Sequence, residues 1–502
     1  MRLFLVDIRD DNFYHLLPQR FNGEVAKDGR VKVMAFPPLG IQTLASVVSQ
    51  QGHQVRMFDT CHPRMKPEHI AQAVKEDRPE VIALSFLSTT TYPAMKQMAT
   101  LLKQASPNTP IIAGGPFATI NAAEILRDCA AVDCVGVGEG EELLPDYLDH
   151  PDQPGTVAGL VWRNGEEVVT NPRRPLIQDL DRFPYPDRTS LPIDYIESLP
   201  LDVPAILSLE PFTTMQTSRG CPFHCIYCDI PSLSQGRWRH RSPEHVLREM
   251  QQLNDQGYRS IYLTDDHFMV NRRRIEQICQ GFIRRRLKFK WGCEGRVDSV
   301  AIDLMLLMKE ANCSHLAFGV EAGTQKVLDR LQKNQTLEQV EHAVSRAKLV
   351  GIERVHGFFV IGSPGETESD VLDTFRFAMR LKLDTFGFNR LCVYRGTPLW
   401  KEYVDRGIID DQRDWHKWFK CSDIDPTALS GETLNRLRIR GYARLFAHRL
   451  ITRPIRTWRL LHSLGRHMKT SDLIRLLSSP FRRRALMRKP DLPAKRVTGV
   501  RS

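Results

Sequence analysis

The sequence predicts an α/β protein built in series: a doubly wound parallel sheet over residues 1–150, a connector with a small β-hairpin over 151–210, a partial (β/α)6 barrel over 211–400 and a mostly helical, basic region over 401–502. Three observations lead there. At 502 residues the chain exceeds the roughly 250 to 300 residues at which single hydrophobic cores stop growing. Short apolar runs alternate with helical patterns through the first 150 residues, the mark of a parallel sheet covered by helices. The same alternation returns from Thr213 to about Tyr394 as six strand-helix units, too few to close an eight-fold barrel.

In the first segment, strands are expected from Leu3 to Asp7, Gln54 to Asp59, Val81 to Ser85, Pro110 to Ala113 and Val132 to Val137, with helices from Ile41 to Gln51 and Tyr92 to Gln104. Polar or glycine-rich turns follow the third, fourth and fifth strands: Leu87-Ser88-Thr89-Thr90-Thr91, Gly114-Gly115-Pro116 and Gly138-Glu139-Gly140-Glu141. In an open doubly wound sheet, a ligand sits at that carboxyl edge. The connector is proline-rich, and its Asn164-Gly165 pair between apolar runs reads as a two-residue hairpin turn.

Barrel strands are expected from Thr213 to Thr217, Ser260 to Thr264, Phe289 to Cys293, His315 to Val320, Val355 to Ile361 and Phe386 to Val393. Ser242-Pro243 is an N-cap followed by proline at the first helical position, with an apolar face at Val246, Met250 and Leu253 and a stop at Gly257. Thr336 to Gln339 has capping-box spacing. From about Lys401 the pattern is mostly helical, without internal repeats.

Composition is that of a folded globular protein, 42% hydrophobic and 26% charged. No run reaches the roughly 18 apolar residues that span a bilayer. The opening Met1 to Asp7 reads as a buried strand, too short for a signal peptide, so a cytoplasmic location is expected. Eleven cysteines, an odd number, argue against a disulfide framework and for reduced thiols or metal ligands. Cys61, Cys129, Cys134, Cys279, Cys293, Cys313, Cys392 and Cys421 stand singly, as small hydrophobes do.

The chemistry concentrates in Cys221-Pro222-Phe223-His224-Cys225-Ile226-Tyr227-Cys228. Three thiolates within eight residues, on a loop directly after an expected strand, can wrap one face of a cubane cluster and leave one iron open to another ligand. A zinc site normally needs a fourth Cys or His at a recognisable spacing, and His224 inside the loop would strain a tetrahedral arrangement. Chance clustering of core cysteines fits poorly with Gly220 and Pro222, which mark a loop.

This motif in a partial barrel resembles the radical S-adenosylmethionine (SAM) superfamily. The resemblance implies a 4Fe-4S cluster on Cys221, Cys225 and Cys228 and SAM on the open iron, cleaved on reduction to methionine and a 5′-deoxyadenosyl radical. It further implies SAM contacts from Tyr227 beside the last cysteine, from Thr264 and Asp265 after the second barrel strand, from Arg296 after the third, from Glu321 in Gly319-Val320-Glu321-Ala322-Gly323, and from Gly362 after the fifth. Taken singly, Glu321 could be a helix-capping carboxylate and Gly362-Ser363-Pro364-Gly365 a turn; their order behind the cysteine loop carries the resemblance.

The first 150 residues resemble the Rossmann-like cobalamin-binding domain that precedes the barrel in one branch of this superfamily. That branch includes methyltransferases and the anaerobic magnesium-protoporphyrin monomethyl ester cyclase. The resemblance implies cobalamin contacts from Pro38, Gly40, Ser88, Thr89, Gly114, Gly115, Gly138 and Glu139, where glycines let backbone approach a flat corrin. The Asp-x-His-x-x-Gly pattern that gives cobalt a histidine is absent after the first strand; Asp59-Thr60-Cys61-His62 matches it only superficially. A domain that has lost the cofactor is the alternative.

From residue 431 onward, 19 Lys and Arg face 3 Asp and Glu, an excess of 16 in a chain of net charge +11, so residues 1–430 carry a net −5. Here arginines interleave with Leu434, Leu437, Leu445, Leu450, Trp458 and Leu461. Such a stretch suits an anionic membrane surface or a helical cap with a solvated basic face. No base-reading module is visible, which ranks nucleic acid lower.

The expected activity is cobalamin-dependent methyl transfer to an unactivated carbon of a hydrophobic small molecule, such as a lipid, polyprenoid or tetrapyrrole, fed with electrons by a flavodoxin or ferredoxin. Oxidoreductase chemistry of the cyclase type and a non-catalytic iron-sulfur scaffold or sensor are the alternatives.

Overall fold

A computed structural model of the chain describes residues 1–8, 14–15, 31–32, 37–60, 65–191, 212–416, 429–452 and 454. One compact unit comprises Met1–Tyr14 and Lys32–His448, and a second comprises His15–Val31 and Arg449–Ser502. Cys61, His62, Cys421 and Trp458 onward lie outside the described residues.

The amino-terminal sheet holds β1 (Arg2–Ile8), β2 (Gln54–Asp59), β3 (Val81–Phe86), β4 (Ile111–Gly114) and β5 (Cys134–Gly136), followed by β6 (Leu160–Asn164) and β7 (Glu167–Thr170). The order is β2-β1-β3-β4-β5-β6-β7, so the winding direction reverses between β1 and β3, the topological switch point at which such sheets bind ligands. Strand alternation splits the core. Phe4, Val6, Ile82 and Leu84 pack on α2 (Pro67–Asp77), α3 (Tyr92–Ala105) and α4 (Pro116–Asp128). Leu3, Leu5 and Ile112 pack on α1 (Leu39–Gln50) and α5 (Gly140–Asp149). The Asn164-Gly165 hairpin forms, with Gly165 at φ +62°. Rather than standing in a separate connector, it joins the sheet: β6 pairs antiparallel with β5, Val135 opposite Val161. That pairing covers the edge that β5 would otherwise leave with unmet backbone groups.

Six parallel strands form the second sheet: β8 (Phe212–Met215), β11 (Ser260–Leu263), β12 (Lys290–Gly295), β13 (Cys313–Glu321), β14 (Arg354–Ile361) and β15 (Thr385–Arg390). Between β8 and β11 stands the short antiparallel pair β9 (Ser218–Arg219) and β10 (Arg239–His240), which brackets α6 (Ile230–Ser234). The helices of the barrel layer are α7 (Pro243–Asp255), α8 (Arg272–Arg284), α9 (Ile302–Glu310), α10 (Gln325–Arg330), α11 (Leu337–Leu349) and α12 (Glu368–Arg380). Their start signals work as the sequence implies. Ser242 Oγ accepts the His245 N–H, and Thr336 and Gln339 close a capping box. Cys279, Cys293 and Cys313 are buried in the apolar core between sheet and helices.

Among the described residues two short helices, α13 (Pro398–Asp405) and α14 (Asp411–Asp414), and then the longer α15 (Gly431–Thr452) follow the barrel. Over its described residues this stretch fits the helical-cap alternative. Leu434, Leu437 and Leu445 are buried in the barrel core, and a side chain at Gly441 would overlap the Phe375 ring. The leucine stripe of α15 is a packing face; Leu450 and Ile451 are the exposed apolar residues at its end. Among the described residues no helix is long and apolar enough to cross a membrane.

Candidate functional site

The loop between β9 and β10 carries all three motif cysteines. Gly220 starts it at φ +84°, where a Cβ would collide with the Arg237 carbonyl oxygen, so the turn requires glycine. The loop is pinned to the barrel through its backbone: Ile226 N donates to Leu331 O at 3.2 Å, and Leu399 N donates to Ile226 O at 3.0 Å. Cys228 N donates to Cys225 O at 3.1 Å, tightening the last turn. Cys225 is buried while Cys221 and Cys228 are half-buried. Burial pushes the Cys221 thiol up and the Cys228 thiol to about 12; bound iron would supply the charge that holds them as thiolates. Among the described residues no three His, Cys, Asp or Glu side chains are set to hold a single metal ion.

The two aspartates after β11 serve this loop. Asp265 accepts from Thr217 N at 2.6 Å, Thr217 Oγ1 at 2.5 Å and Ser218 Oγ at 2.6 Å. With three hydrogen bonds accepted and 3% exposure, it staples the approach to Cys221, a role the sequence reading did not give it. Asp266 accepts from Gly220 N at 2.7 Å, and burial raises its carboxyl to about 6. Thr264 donates its N–H to Met215 O at 2.9 Å.

Around the mouth of the barrel the remaining expected residues converge. The Arg296 guanidinium lies 3.9 Å from the centre of the Phe223 ring in the cysteine loop, and donates to Asp298 and to the Lys333 and Asn334 carbonyls. Glu321 sits at φ +66° and pairs with Lys333 Nζ at 2.8 Å; burial, reinforced by the Glu321 charge, pushes the Tyr227 hydroxyl well up. Burial works against the Lys333 ammonium, but Glu321 and Cys225 outweigh it and raise its pKa. Gly362 N and Ser363 N donate to Glu366 Oε2 at 2.5 and 2.8 Å, and burial raises Glu366 to about 7. Sequence reasoning missed Lys333, which belongs to no local pattern; Glu366 closes the turn that follows the fifth barrel strand. Buried and without a hydrogen-bond partner at these strand ends are Arg296 Nη1, Gln335 Oε1, Ser363 Oγ and Glu366 Oε1. Unmet buried polar atoms of both kinds fit a polar, zwitterionic ligand such as SAM.

The expected cobalamin residues divide. Gly114 and Gly138 each face open space where a Cβ would project, and Gly115, at φ +107°, would clash with the Phe86 carbonyl if given one. Gly40 in the first turn of α1 is likewise open, after the buried Pro38. Ser88 and Thr89 line a cavity with Phe117, Asn121, Asp229, Tyr394 and Arg395, although the Ser88 hydroxyl is shared with Thr90 at 2.8 Å. These unfilled glycine positions make a cradle suited to a flat ring. The Glu139 side chain is turned to other partners. Its carboxylate is engaged by Arg219 at 2.9 Å, by Arg239 at 2.7 Å and by Ile177 N at 2.8 Å. Burial opposes ionisation of Glu139, but Arg239 and Arg219 overcome it and hold its pKa below the usual range.

Comparison with known proteins agrees with this layout. Residues 215–378 match the family model of the radical SAM superfamily, and residues 33–148 match that of the B12 binding domain. An uncharacterised methyltransferase of Pyrococcus horikoshii is 30% identical, over 82% of this chain and 88% of its own. The anaerobic magnesium-protoporphyrin IX monomethyl ester cyclase of Cereibacter sphaeroides is 26% identical, over 80% of this chain and 66% of its own. Among solved structures, a radical S-adenosylmethionine methyltransferase from Kitasatospora setae superposes with a TM-score of 0.66 at 18% identity, covering 81% of this chain and 76% of that one; at that identity the likeness speaks for the fold.

Proposed function

The chain belongs to the radical SAM superfamily, in the branch that carries a B12-binding domain ahead of the barrel, and we infer that it is a cobalamin-dependent methyltransferase acting on a carbon of a small hydrophobic molecule. One observation carries the reading. Asp229, the residue after Cys228, lines the same cavity as Ser88, Thr89 and Asn121 of the amino-terminal domain, so the end of the cysteine loop and the polar turn after β3 share one cavity.

When bound there, the cluster supplies the electron that splits SAM and the corrin supplies the methyl group. The protein's part is placement. Cys221, Cys225 and Cys228 would hold the cluster. Tyr227, Arg296, Glu321 and Gly362 surround the position for SAM, with Lys333 compensating the Glu321 charge. Gly114 and Gly138 let backbone lie close to the corrin, and Gly115 lets their turn pack on Phe86. Tyr262 and Glu294 alternate with helix-facing Ile261, Leu263 and Cys293 and so point into the barrel. There the Tyr262 hydroxyl donates to Glu294 at 2.6 Å, and burial raises the Glu294 carboxyl, offering a polar anchor to an otherwise apolar substrate. A cytoplasmic enzyme reduced by a flavodoxin or ferredoxin, its basic tail against an anionic membrane, completes the proposal.

The test is anaerobic reconstitution with iron, sulfide, cobalamin and SAM labelled on its methyl group. The reading expects 5′-deoxyadenosine on reduction and label on cobalt. Failure to bind any corrin would remove the methyltransferase reading. SAM cleavage with bound corrin that never takes label would turn it toward chemistry of the cyclase type.

A further inference from the structure

The three cysteines hang from a neck only two residues deep, β9 paired with β10, in which Arg219 stands directly opposite Arg239. Like charges facing each other across an antiparallel pair push the strands apart, and both guanidinium groups are largely buried, where repulsion is screened least. The neck nevertheless closes. What neutralises it comes from the other domain: Glu139, before the first turn of α5, reaches Arg219 Nη1 at 2.9 Å and Arg239 Nη1 at 2.7 Å with its two oxygens. Glu141 pairs with the second Arg219 nitrogen. Ile177 closes the arrangement from a third segment, its N–H donating to Glu139 at 2.8 Å and its carbonyl accepting from Arg239 at 2.6 Å. Two carboxylates therefore balance two guanidinium groups, with no spare charge.

We propose that Glu139 is the clasp of the cluster loop, a positioning residue through which the corrin-side domain holds the neck from which Cys221, Cys225 and Cys228 are presented. Glu139 follows Gly138, an open glycine of the corrin cradle, and Arg219 precedes Cys221 by two residues. A single ion-pair cluster thus ties the edge meant for one cofactor to the loop meant for the other. The inference rests on the iron-sulfur reading above.

The experiment uses the full-length chain, purified anaerobically and reconstituted, with iron and sulfide per chain, the electron paramagnetic resonance spectrum and the cluster reduction potential as readouts. Glu139→Gln leaves Arg219 and Arg239 facing each other with one carboxylate between them. Bound iron falls severalfold, and the cluster that remains titrates at a higher potential because a positive charge is now uncompensated beside Cys221. Arg239→Gln shifts the potential the opposite way and keeps more iron than Glu139→Gln, since the Arg219–Glu139 pair survives. Combining the two substitutions restores the charge balance and recovers iron and potential toward wild type. Wild-type iron, spectrum and potential in Glu139→Gln would overturn the proposal, as would a double variant no better than Glu139→Gln alone. If Glu139→Gln does not fold, the decision passes to Arg239→Gln, and a rise or no change in potential there would overturn it equally. Wild-type protein without a four-iron cluster would instead defeat the underlying reading and leave the clasp as a feature of the fold alone.

Discussion

Replacing Asp265 by asparagine separates two roles that a carboxylate at this strand end can have. In the structure it accepts three hydrogen bonds, from Thr217 N, Thr217 Oγ1 and Ser218 Oγ, all within 2.6 Å, and Thr217 and Ser218 are themselves buried. Hydrogen bonds to a charged group contribute about 1.5 to 3 kcal/mol each. An asparagine oxygen keeps one acceptor and turns the other into a donor that faces two hydroxyls, so roughly two charge-assisted bonds are lost. The expected cost is about 3 to 6 kcal/mol, a large share of the 5 to 15 kcal/mol that typically holds a domain together. Urea unfolding followed by tryptophan fluorescence, with iron and sulfide assays before and after reconstitution, should show an earlier transition and a loop that sheds iron readily. The fraction that retains the cluster should bind SAM with wild-type affinity by isothermal titration calorimetry. Wild-type stability and iron content together with lost SAM affinity would refute the staple and return Asp265 to direct ligand contact.

Lys333→Met strands the Glu321 carboxylate beside Tyr227 without its partner; breaking a buried pair in this way costs about 3 to 5 kcal/mol, and both thermal stability and SAM binding by calorimetry should fall. Glu366 is a buried carboxyl raised to about 7, so its contribution to stability is full below the ordinary value of 4.5 and is lost as pH rises through about 7. Denaturation midpoints measured across that window should decline in wild type and flatten in Glu366→Gln. Gly115→Ala forces a methyl group against the Phe86 carbonyl at φ +107°, a strain of about 1 to 3 kcal/mol. Spectrophotometric titration should show weaker cobalamin binding with iron content unchanged, and equal affinity would contradict the cradle.

What the sequence revealed and what it withheld follow from distance along the chain. The cysteine motif is eight contiguous residues, and the Thr336 capping box closes within four; both are complete in a local window. The strands of both sheets announce themselves by buried apolar runs, since parallel strands covered on both faces need little else. The role of Asp265 was hidden because its partners lie 47 and 48 residues away, and a carboxylate looks the same whether it awaits a ligand or a hydroxyl. The ion pairs of Glu139 were hidden for the same reason: Arg219 is 80 residues away and Arg239 100. The hairpin around Gly165 was visible, but its pairing partner depended on which edge of the first sheet stood open. In α15 arginines mask the leucines, and only the Phe375 ring over Gly441 reveals which face is buried.

The central claim is that three thiols present a four-iron cluster to SAM. The most direct measurement is the low-temperature resonance spectrum of the dithionite-reduced, anaerobically reconstituted protein, with and without SAM, beside the variant carrying alanine at 221, 225 and 228. A reduced four-iron signal that changes shape on adding SAM, and vanishes in the triple variant, is the outcome predicted. A signal indifferent to SAM, or one that persists without the three cysteines, contradicts it.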